Sequence, residues 1–308
     1  MHSNEPSGIR LSRELKVKRF IALASYTTWH IGGKAEWFSQ PNNISEIKSL
    51  IAWSNERKIP CTIIGAGSNL LINDEGIKGL VICLKKLHGY EINEKNGVIE
   101  AFSGENIPSL ARRAAKGGLH GLEWAAGIPG TLGGAVVMNA GAQGGSFSDC
   151  IDSVKVLTIN GGEQLELPVK DLNYAYRSSR LQKNQFIVLS AKLKLEPGYD
   201  PQTILKTTNS NLQLRINTQP YDKPSCGSVF RNPMPYKAGK LIEELGLKGL
   251  CIGGAEVSKL HANFIVNKGD ATAHDIDQLI TVIQNKIQSA YGLQLHPEVK
   301  RLGFDISI

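Results

Sequence analysis

The segment "GIPGTLGGAVVMNAGAQGG", residues 127–145, decides between the α/β folds open to this sequence. The chain has 32 glycines, and ten of them fall between Gly117 and Gly145, so the excess is local. No lysine follows a glycine at the Walker spacing, which excludes a P-loop. Glycines at 130, 133 and 134 would let a helix start close to a flat or anionic ligand. The alternative is close packing of a helix on a sheet through small residues.

A second glycine segment, "IPCTIIGAGSNLLI" at residues 59–72, predicts a loop between two strands. Its start matches half of a dinucleotide fingerprint, but Leu70 stands where the third glycine belongs, and an apolar run follows instead of a helix. A Rossmann fold is therefore excluded. Backbone N–H groups of the loop could form a nest for a pyrophosphate, with Ser68 and Asn69 adding donors. A tight hairpin turn is the alternative.

The rest of the chain predicts a mixture of helices and strands. Apolar residues at helical spacing predict an amphipathic helix over 44–58 with Ser45 as its N-cap. The clearest helix begins at Thr272, which forms a capping box with Asp275. The other predicted elements are a helix at 108–116, a hairpin at Asn160-Gly161, a strand at 186–197, a linker at 197–201, helices at 202–215 and 238–246, and strands at 262–267 and 295–306.

The composition is that of an ordinary soluble globular protein: 41% of the 308 residues are apolar and 20% are charged. No apolar run approaches the roughly 18 residues that cross a bilayer, and the first twenty residues lack a secretory h-region. Five widely spaced cysteines without a C-x-x-C pair predict reduced thiols and no metal site. The net charge is +7, but the basic residues form no stripe interleaved with aromatic residues. This distribution favours small anionic ligands over nucleic acid as binding partners. We expect a cytoplasmic monomer without a membrane partner.

The segment "PSCGSVFRNP", residues 224–233, holds Ser228 between two prolines that stiffen the backbone. A nucleophilic serine of the hydrolase type would sit in G-x-S-x-G, but Phe230 occupies the last position, which argues against attack. Proton transfer and the absence of any chemical role both remain open. If the segment is extended, Ser228 and Phe230 face one side, and Val229 and Arg231 face the other.

Six segments resemble, in order and spacing, those of the UDP-N-acetylenolpyruvoylglucosamine reductases. They span about residues 27–303 and read "TTWHIGGKAEWF", "IIGAGSNLL", "GLEWAAGIPGTLGGAVVMNAGA", "YAYRSSRL", "CGSVFRNP" and "HPEVKRLG". The resemblance implies an α/β (α+β) fold, with an FAD-binding domain of the vanillyl-alcohol oxidase / p-cresol methylhydroxylase type and an α+β substrate-binding domain. The implied boundaries are 1–90 for a first FAD subdomain, to which 295–308 returns, 91–200 for a glycine-rich second subdomain, and 201–294 for the substrate domain.

The resemblance also implies the activity. Such enzymes use non-covalent FAD and NADPH to reduce the enolpyruvyl ether of a UDP-sugar, which gives UDP-N-acetylmuramate for peptidoglycan, and a ping-pong pattern is expected. Two departures limit the comparison: the tyrosine-bearing insertion of one subgroup is absent, so the chain resembles the shorter second type, and Gln143 replaces a frequent aromatic residue.

Three catalytic roles follow from the resemblance. The reaction places a hydride on one carbon and a proton on the next, with a carboxylate-stabilised carbanion between. Arg177 would hold the carboxylate through its planar fork, Glu298 would polarise the enol ether as an acid or hydrogen-bond partner, and Ser228 would donate the proton. A surface arginine that caps a turn and a surface glutamate are the alternatives for Arg177 and Glu298. Glu298 could act as an acid at neutral pH only if burial raises its pKa.

Cofactor and substrate contacts complete the prediction. The expected FAD contacts are Gly65, Ala66, Gly67, Ser68, Asn69, Leu70, Gly127, Gly130, Thr131, Gly133, Gly134, Asn139 and Gly141. The expected substrate contacts are Tyr176, Asn232, Lys240 and His261, with Lys259 as a further candidate for the diphosphate. A histidine such as His261 is more often structural. Two rival functions stay open: a flavin oxidase of the same fold that acts on another small substrate, and a nucleotide-sugar sensor without turnover.

Overall fold

The computed structural model describes residues 8–11, 15–183 and 185–304, and it has the mixed α and β architecture that the sequence predicts. Three regions follow one another along the chain. No helix among the described residues is both long and apolar enough to cross a bilayer.

The first region is built around a five-stranded sheet. Its strands and helix are β1 (Gly8–Arg10), β2 (Lys16–Ala22), β3 (Lys34–Ser39), α1 (Ile44–Glu56), β4 (Cys61–Ile64), β5 (Leu70–Ile72) and β6 (Ile77–Cys83). The sheet order is β1-β2-β3-β6-β4, and β6 runs parallel to both β3 and β4. The N-cap of α1 is Asn43 and not Ser45, because the Asn43 side chain accepts the Glu46 N–H at 2.9 Å.

The second region holds another five-stranded sheet with two helices. Its elements are β7 (Tyr90–Asn93), β8 (Val98–Phe102), α2 (Ile107–Lys116), α3 (Leu132–Met138), β9 (Gly141–Ala142), β10 (Gly145–Ser146), β11 (Ile151–Thr158), β12 (Gln164–Pro168) and β13 (Phe186–Lys194). The order is β12-β11-β13-β8-β7. The predicted hairpin at Asn160-Gly161 is confirmed, since β11 and β12 pair antiparallel around it.

The third region comprises three helices and a small sheet. Its elements are α4 (Pro201–Thr218), α5 (Ala238–Glu244), β14 (Cys251–Ile252), β15 (Ala255–Val257), β16 (Ile265–Asn267) and α6 (Ala273–Tyr291). Both predicted capping-box bonds of α6 form, between Thr272 and Asp275. The five apolar residues that predicted this helix are fully buried: Ile276, Leu279, Ile280, Ile283 and Ile287.

Helix α4 packs on the second region, although the sequence assigned it to the substrate domain. Leu212 packs against the core of the second region, and the Gln143 side chain donates to the Asn211 carbonyl at 3.2 Å. The division of the chain at residues 90, 200 and 294 stays a prediction, and residues 1–7, 12–14, 184 and 305–308 of the predicted domains lie outside the described part.

The last strand returns to the first region. Strand β17 (Lys300–Leu302) pairs parallel with β5, and Lys300 lies opposite Leu70. Strands β4 and β5 belong to different sheets, so the glycine loop between them is not a hairpin turn. The Trp29 indole N–H donates to the Ile265 carbonyl at 2.8 Å and joins the first region to the third.

Candidate active site

One cavity lies where the three regions meet, and its volume is about 890 Å³. This volume is near the upper end for a small-molecule site. The lining includes the loop at 65–70, helix α3, the segment 226–230 and the chain around Glu298. Most of the predicted site residues therefore face a common space.

The loop at 65–70 offers its backbone to the cavity. Gly67 has φ of +68°, a conformation that glycine adopts without strain. Within the described chain, the N–H groups of Ala66, Gly67 and Ser68 form no hydrogen bond. The predicted side-chain donors are already engaged: the Ser68 hydroxyl donates to the Pro129 carbonyl at 2.8 Å, and the Asn69 amide donates to the Glu298 carbonyl at 3.2 Å. The nest is thus made by backbone groups alone.

The glycines of α3 divide between packing and ligand access. A Cβ at Gly133 would lie 2.6 Å from the Ser103 Cβ, so this glycine allows the helix to pack closely. A Cβ at Gly134 would meet only the Thr131 hydroxyl, at 3.6 Å, and Gly134 lines the cavity. The first helical N–H groups are not available to an anion, because Leu132 donates to the Glu105 carbonyl and Gly133 to the Ser103 carbonyl. These two N–H groups are therefore taken, and the predicted approach of a flat or anionic ligand to this helix start stays a prediction that rests on Gly130 and Gly134, which line the cavity.

Two predicted cofactor contacts, Gly127 and Asn139, lie outside the cavity lining. The Gly127 carbonyl accepts the Tyr221 hydroxyl at 2.7 Å. Asn139 is buried; its amide donates to the Ala175 carbonyl at 3.0 Å, and its Oδ1 accepts the Ser148 N–H at 2.9 Å. Because these groups form hydrogen bonds within the protein, both residues support the cavity wall without lining the cavity.

Arg177 and Glu298 form an ion pair in the cavity wall, with 2.8 Å between the arginine Nε and the glutamate Oε1. Their side chains are only 19% and 16% exposed, which excludes the alternative of two unconnected surface residues. The Arg177 Nη1 also donates to the Asn139 carbonyl at 3.3 Å, and Nη2 donates to the Gly141 carbonyl at 2.6 Å. Two of its five N–H groups remain free for a ligand. Arg177 has φ of +53°, a strained backbone conformation of the kind that clusters at functional sites.

Burial shifts the pKa of two groups at this site, Glu298 of the ion pair and the nearby Lys300. Burial raises the pKa of Glu298 above its ordinary value, and the Arg177 guanidinium opposes the shift without cancelling it. Burial lowers the pKa of Lys300, and the nearby Arg231 lowers it further. The Lys300 ammonium donates to the Gln182 side chain at 2.9 Å.

Ser228 lies in the same wall, joined to Glu298 by backbone. The Glu298 N–H donates to the Val229 carbonyl at 2.7 Å. The segment is not a continuous strand, since it forms only isolated bridges among the described residues, Ser225 with Val266 and Phe230 with Pro297, and Val229 and Phe230 are both buried. Ser228 and Phe230 line the cavity whereas Val229 and Arg231 do not, which agrees with the predicted alternation, and the Arg231 Nη2 donates to the Arg177 carbonyl at 3.4 Å.

All four predicted substrate contacts line the cavity: Tyr176, Asn232, Lys240 and His261. Lys259 is not part of the lining. The Asn232 Oδ1 is taken by the Ala238 N–H at 3.0 Å, which leaves its NH₂ group. The His261 Nδ1 accepts the Asn263 N–H at 3.2 Å, and burial lowers the pKa of His261, so it is neutral at pH 7 with its proton on Nε2.

Sequence reasoning missed several polar residues that line the cavity, among them Gln182, Arg215, Asn263 and Lys300. Lys300 stands within a quoted motif, "HPEVKRLG", but a lysine on a predicted strand gives no sign of its direction. Arg215 comes from α4, and its side chain packs against Gly127, with a buried Nε that has no partner among the described residues. No pattern in the sequence marks Asn263, because its partners lie 33 residues away.

Comparison with known proteins agrees with this site. Residues 35–168 match the family model "FAD binding domain", and residues 219–302 match the "UDP-N-acetylenolpyruvoylglucosamine reductase, C-terminal domain". The reductase of Prochlorococcus marinus (strain MIT 9313) is 57% identical over 97% of this chain and 98% of its own length. The reductase of Acaryochloris marina (strain MBIC 11017) is 48% identical over 94% and 93%.

A solved structure has the same fold. The crystal structure of the UDP-N-acetylenolpyruvylglucosamine reductase from Thermus caldophilus superposes with a TM-score of 0.80 at 34% identity, and the match covers 94% of this chain and 99% of that one. The fold, the FAD-binding domain and the near full-length relatives lead to one assignment. The chain belongs to the UDP-N-acetylenolpyruvoylglucosamine reductases, the FAD- and NADPH-dependent oxidoreductases that make UDP-N-acetylmuramate for peptidoglycan.

Proposed function

We propose that Ser228, Arg177 and Glu298 carry out the reduction of the enolpyruvyl ether in this chain. The observation that supports the proposal most is the single cavity wall in which the Arg177–Glu298 ion pair and the Ser228 segment are joined by the Val229–Glu298 backbone bond. Arg177 would bind the substrate carboxylate, Glu298 would contribute a carboxyl group of raised pKa, and Ser228 would contribute a hydroxyl. All three would then act on one bound molecule.

The residues around the loop at 65–70 fit FAD. The free N–H groups of Ala66, Gly67 and Ser68 suit a pyrophosphate, and the open face of Gly134 leaves space where any larger side chain would intrude. Bound FAD supplies a hydride acceptor for NADPH and a hydride donor for the substrate.

Arg177 binds and orients the substrate carboxylate. A guanidinium stays cationic at every relevant pH, and its remaining two N–H groups can bind an anion while Glu298 and two carbonyls fix the others. The negative charge that develops on the substrate during hydride addition is stabilised by the same cation.

Ser228 supplies the proton. A hydroxyl is too weak an acid for most leaving groups, but an enolate-like carbanion of the substrate is basic enough to take its proton when the geometry is fixed. Burial raises the pKa of Glu298 and so increases the fraction of its carboxyl group that is protonated; this form can donate a hydrogen bond to the enol ether oxygen while Oε1 still accepts the Arg177 Nε–H.

The outer part of the cavity holds the UDP group. Lys240 supplies positive charge, Asn232 and the neutral His261 supply N–H donors, and Tyr176, which is half exposed, supplies an aromatic face. We also propose that the protein acts in the cytoplasm as a monomer; its five free cysteines are typical of a reducing compartment.

We expect Gly134→Leu to abolish FAD binding without unfolding the protein. A Cβ at this position would meet only the Thr131 hydroxyl, at 3.6 Å, and Gly134 lines the cavity, so we expect the added side chain to occupy cofactor space. The measurement is the flavin absorbance of the purified variant, together with its circular dichroism and thermal midpoint. Gly161→Leu, in the exposed hairpin loop, is the control and should stay yellow. A Gly134→Leu protein that retains stoichiometric FAD would contradict the proposed cofactor site.

The function is tested by two anaerobic half-reactions followed across pH. NADPH should bleach the flavin, and the UDP-enolpyruvyl sugar should restore its colour and yield UDP-N-acetylmuramate. The rate of restoration should fall as pH rises through the raised pKa of Glu298, because the protonated donor is lost. Glu298→Gln, which keeps a donor that cannot ionise, should lose this pH dependence.

Three outcomes decide between this proposal and its rivals. Rapid reoxidation by oxygen with no response to the enolpyruvyl substrate would indicate an oxidase. Flavin that NADPH never bleaches would favour a sensor. An unchanged pH profile in Glu298→Gln would remove Glu298 from its role.

A further inference from the structure

We propose that Asn263 is a positioning residue that holds Ser228 in place for proton transfer. The inference rests on the proposed role of Ser228. It goes further in naming the group that fixes the serine, a function that the sequence assigned to the flanking prolines.

Asn263 forms three hydrogen bonds with the two residues that follow Ser228. Its carbonyl accepts the Val229 N–H at 2.8 Å, its side-chain Oδ1 accepts the Phe230 N–H at 3.0 Å, and its Nδ2 donates to the Phe230 carbonyl at 2.9 Å. The side chain therefore binds both polar groups of one residue, as a neighbouring strand would. Only 4% of Asn263 is exposed, so these bonds do not compete with bulk water.

These bonds bear directly on Ser228 because they begin at the next residue, whereas the nearest bridge on the other side joins Ser225 to Val266, three residues away. Gly227 has φ of +82°, and nothing lies within 4 Å of the position of its Cβ, so packing does not fix this residue. Val229, whose N–H donates to the Asn263 carbonyl, is therefore the hydrogen-bonded residue nearest to Ser228. Since the Val229 carbonyl also accepts the Glu298 N–H, Asn263 fixes the serine relative to the ion pair.

The two partner groups require an amide. One is a donor and the other an acceptor, and an amide side chain is both at once, whereas an ionised carboxylate is an acceptor only. A carboxylate at this position would face the Phe230 carbonyl oxygen and repel it. A protonated carboxyl group could make both bonds again.

The first test is Asn263→Ala in the FAD-loaded protein, with the two half-reactions measured separately. Misplacement of a reacting group by an ångström costs about 10²-fold. We therefore expect reoxidation by the UDP-enolpyruvyl sugar to slow by about 10²-fold while reduction by NADPH stays near its wild-type rate. Amide hydrogen exchange should also rise in residues 226–231.

Asn267→Ala is the matched control. Asn267 is 6% exposed, and its side chain makes three bonds to backbone groups, against two for the Asn263 side chain: it donates to the Trp29 carbonyl at 2.9 Å and accepts the N–H groups of Gly269 and Ala271. Its substitution leaves a comparable defect away from Ser228. It should lower stability while preserving the ratio of the two half-reaction rates and the exchange of residues 226–231.

Asn263→Asp gives a second readout that a loss of stability alone would not produce. Its reoxidation rate should rise as pH falls, because protonation of the introduced carboxyl restores the bond to the Phe230 carbonyl. His261, which contacts Asn263, and Glu298, which adjoins Val229, titrate in wild type as well, so the wild-type profile is measured over the same range and divided out.

The outcomes separate the two proposals. Ser228→Ala that reoxidises at the wild-type rate would overturn the proposed function itself. If Ser228→Ala is slow while Asn263→Ala and Asn263→Asp keep wild-type half-reactions and exchange, the role of Asn263 alone is wrong. Should Asn263→Ala fail to fold, a flat relative pH profile for Asn263→Asp would overturn it, and a rise toward low pH would support it.

Discussion

Ser228→Ala should slow substrate-driven reoxidation of the reduced protein by about 10²–10⁴-fold, the usual contribution of a positioned general acid, and leave reduction by NADPH unchanged. The variant loses a single oxygen atom in the cavity wall, while the backbone bonds that fix residues 229–231 remain. Hydride transfer from NADPH places no proton on carbon. Only the second half-reaction needs the hydroxyl.

Stopped-flow absorbance of the flavin measures both steps in one preparation. Ser225→Ala is the control, since this serine lies in the same segment but outside the cavity lining, and it should behave as wild type in both half-reactions. Equal slowing of both steps in Ser228→Ala would indicate a binding role, and no slowing would leave the proton source unassigned to this residue.

Local patterns predicted the regular elements of the fold well. Helix α6 followed from its capping box and its five buried positions, and the hairpin followed from Asn160-Gly161, because both signals act within a few residues. The N-cap of α1 was misplaced since two polar residues, Asn43 and Ser45, compete at its start and only the Asn43 side chain meets the Glu46 N–H. The packing of α4 on the second region depends on contacts far along the chain, which periodicity does not encode.

The candidate site was predicted less completely than the fold. The glycine loops and the motif positions were found, and most of them line one cavity. What the sequence could not give is how each polar group is used: Ser68 and Asn69 bond within the protein, and Asn263 gives no local signal. Asn263, Val229 and Glu298 lie on three irregular segments that are far apart in the sequence, so no local pattern could predict the bonds between them.

Arg177→Met should abolish turnover and lower the free energy of unfolding by roughly 3–5 kcal/mol at neutral pH, the cost of removing one partner of a buried pair. The substrate carboxylate loses its cation, and Glu298 is left in the wall with no guanidinium beside it. The bonds to the Asn139 and Gly141 carbonyls are lost as well. Arg113→Met is the control: Arg113 pairs with Glu105 at 3.4 Å outside the cavity lining, and its loss should leave turnover intact.

The sign of the pH dependence distinguishes the lost ion pair from general damage. Burial already raises the folded-state pKa of Glu298, and removal of Arg177 removes the interaction that opposes this rise. A group with a raised folded-state pKa favours folding when it is protonated, so the stability it contributes is present below its unfolded pKa, about 4.3, and is lost as pH rises through the folded value. Urea unfolding should therefore show a larger deficit for Arg177→Met at pH 8 than at pH 5. Glu298→Gln in the same background should recover stability at pH 8 but not turnover, since an uncharged amide relieves the buried charge and cannot replace the cation that holds the substrate. A deficit that is equal at both pH values would mean that the two carbonyl bonds, and not Glu298, are what Arg177 stabilises.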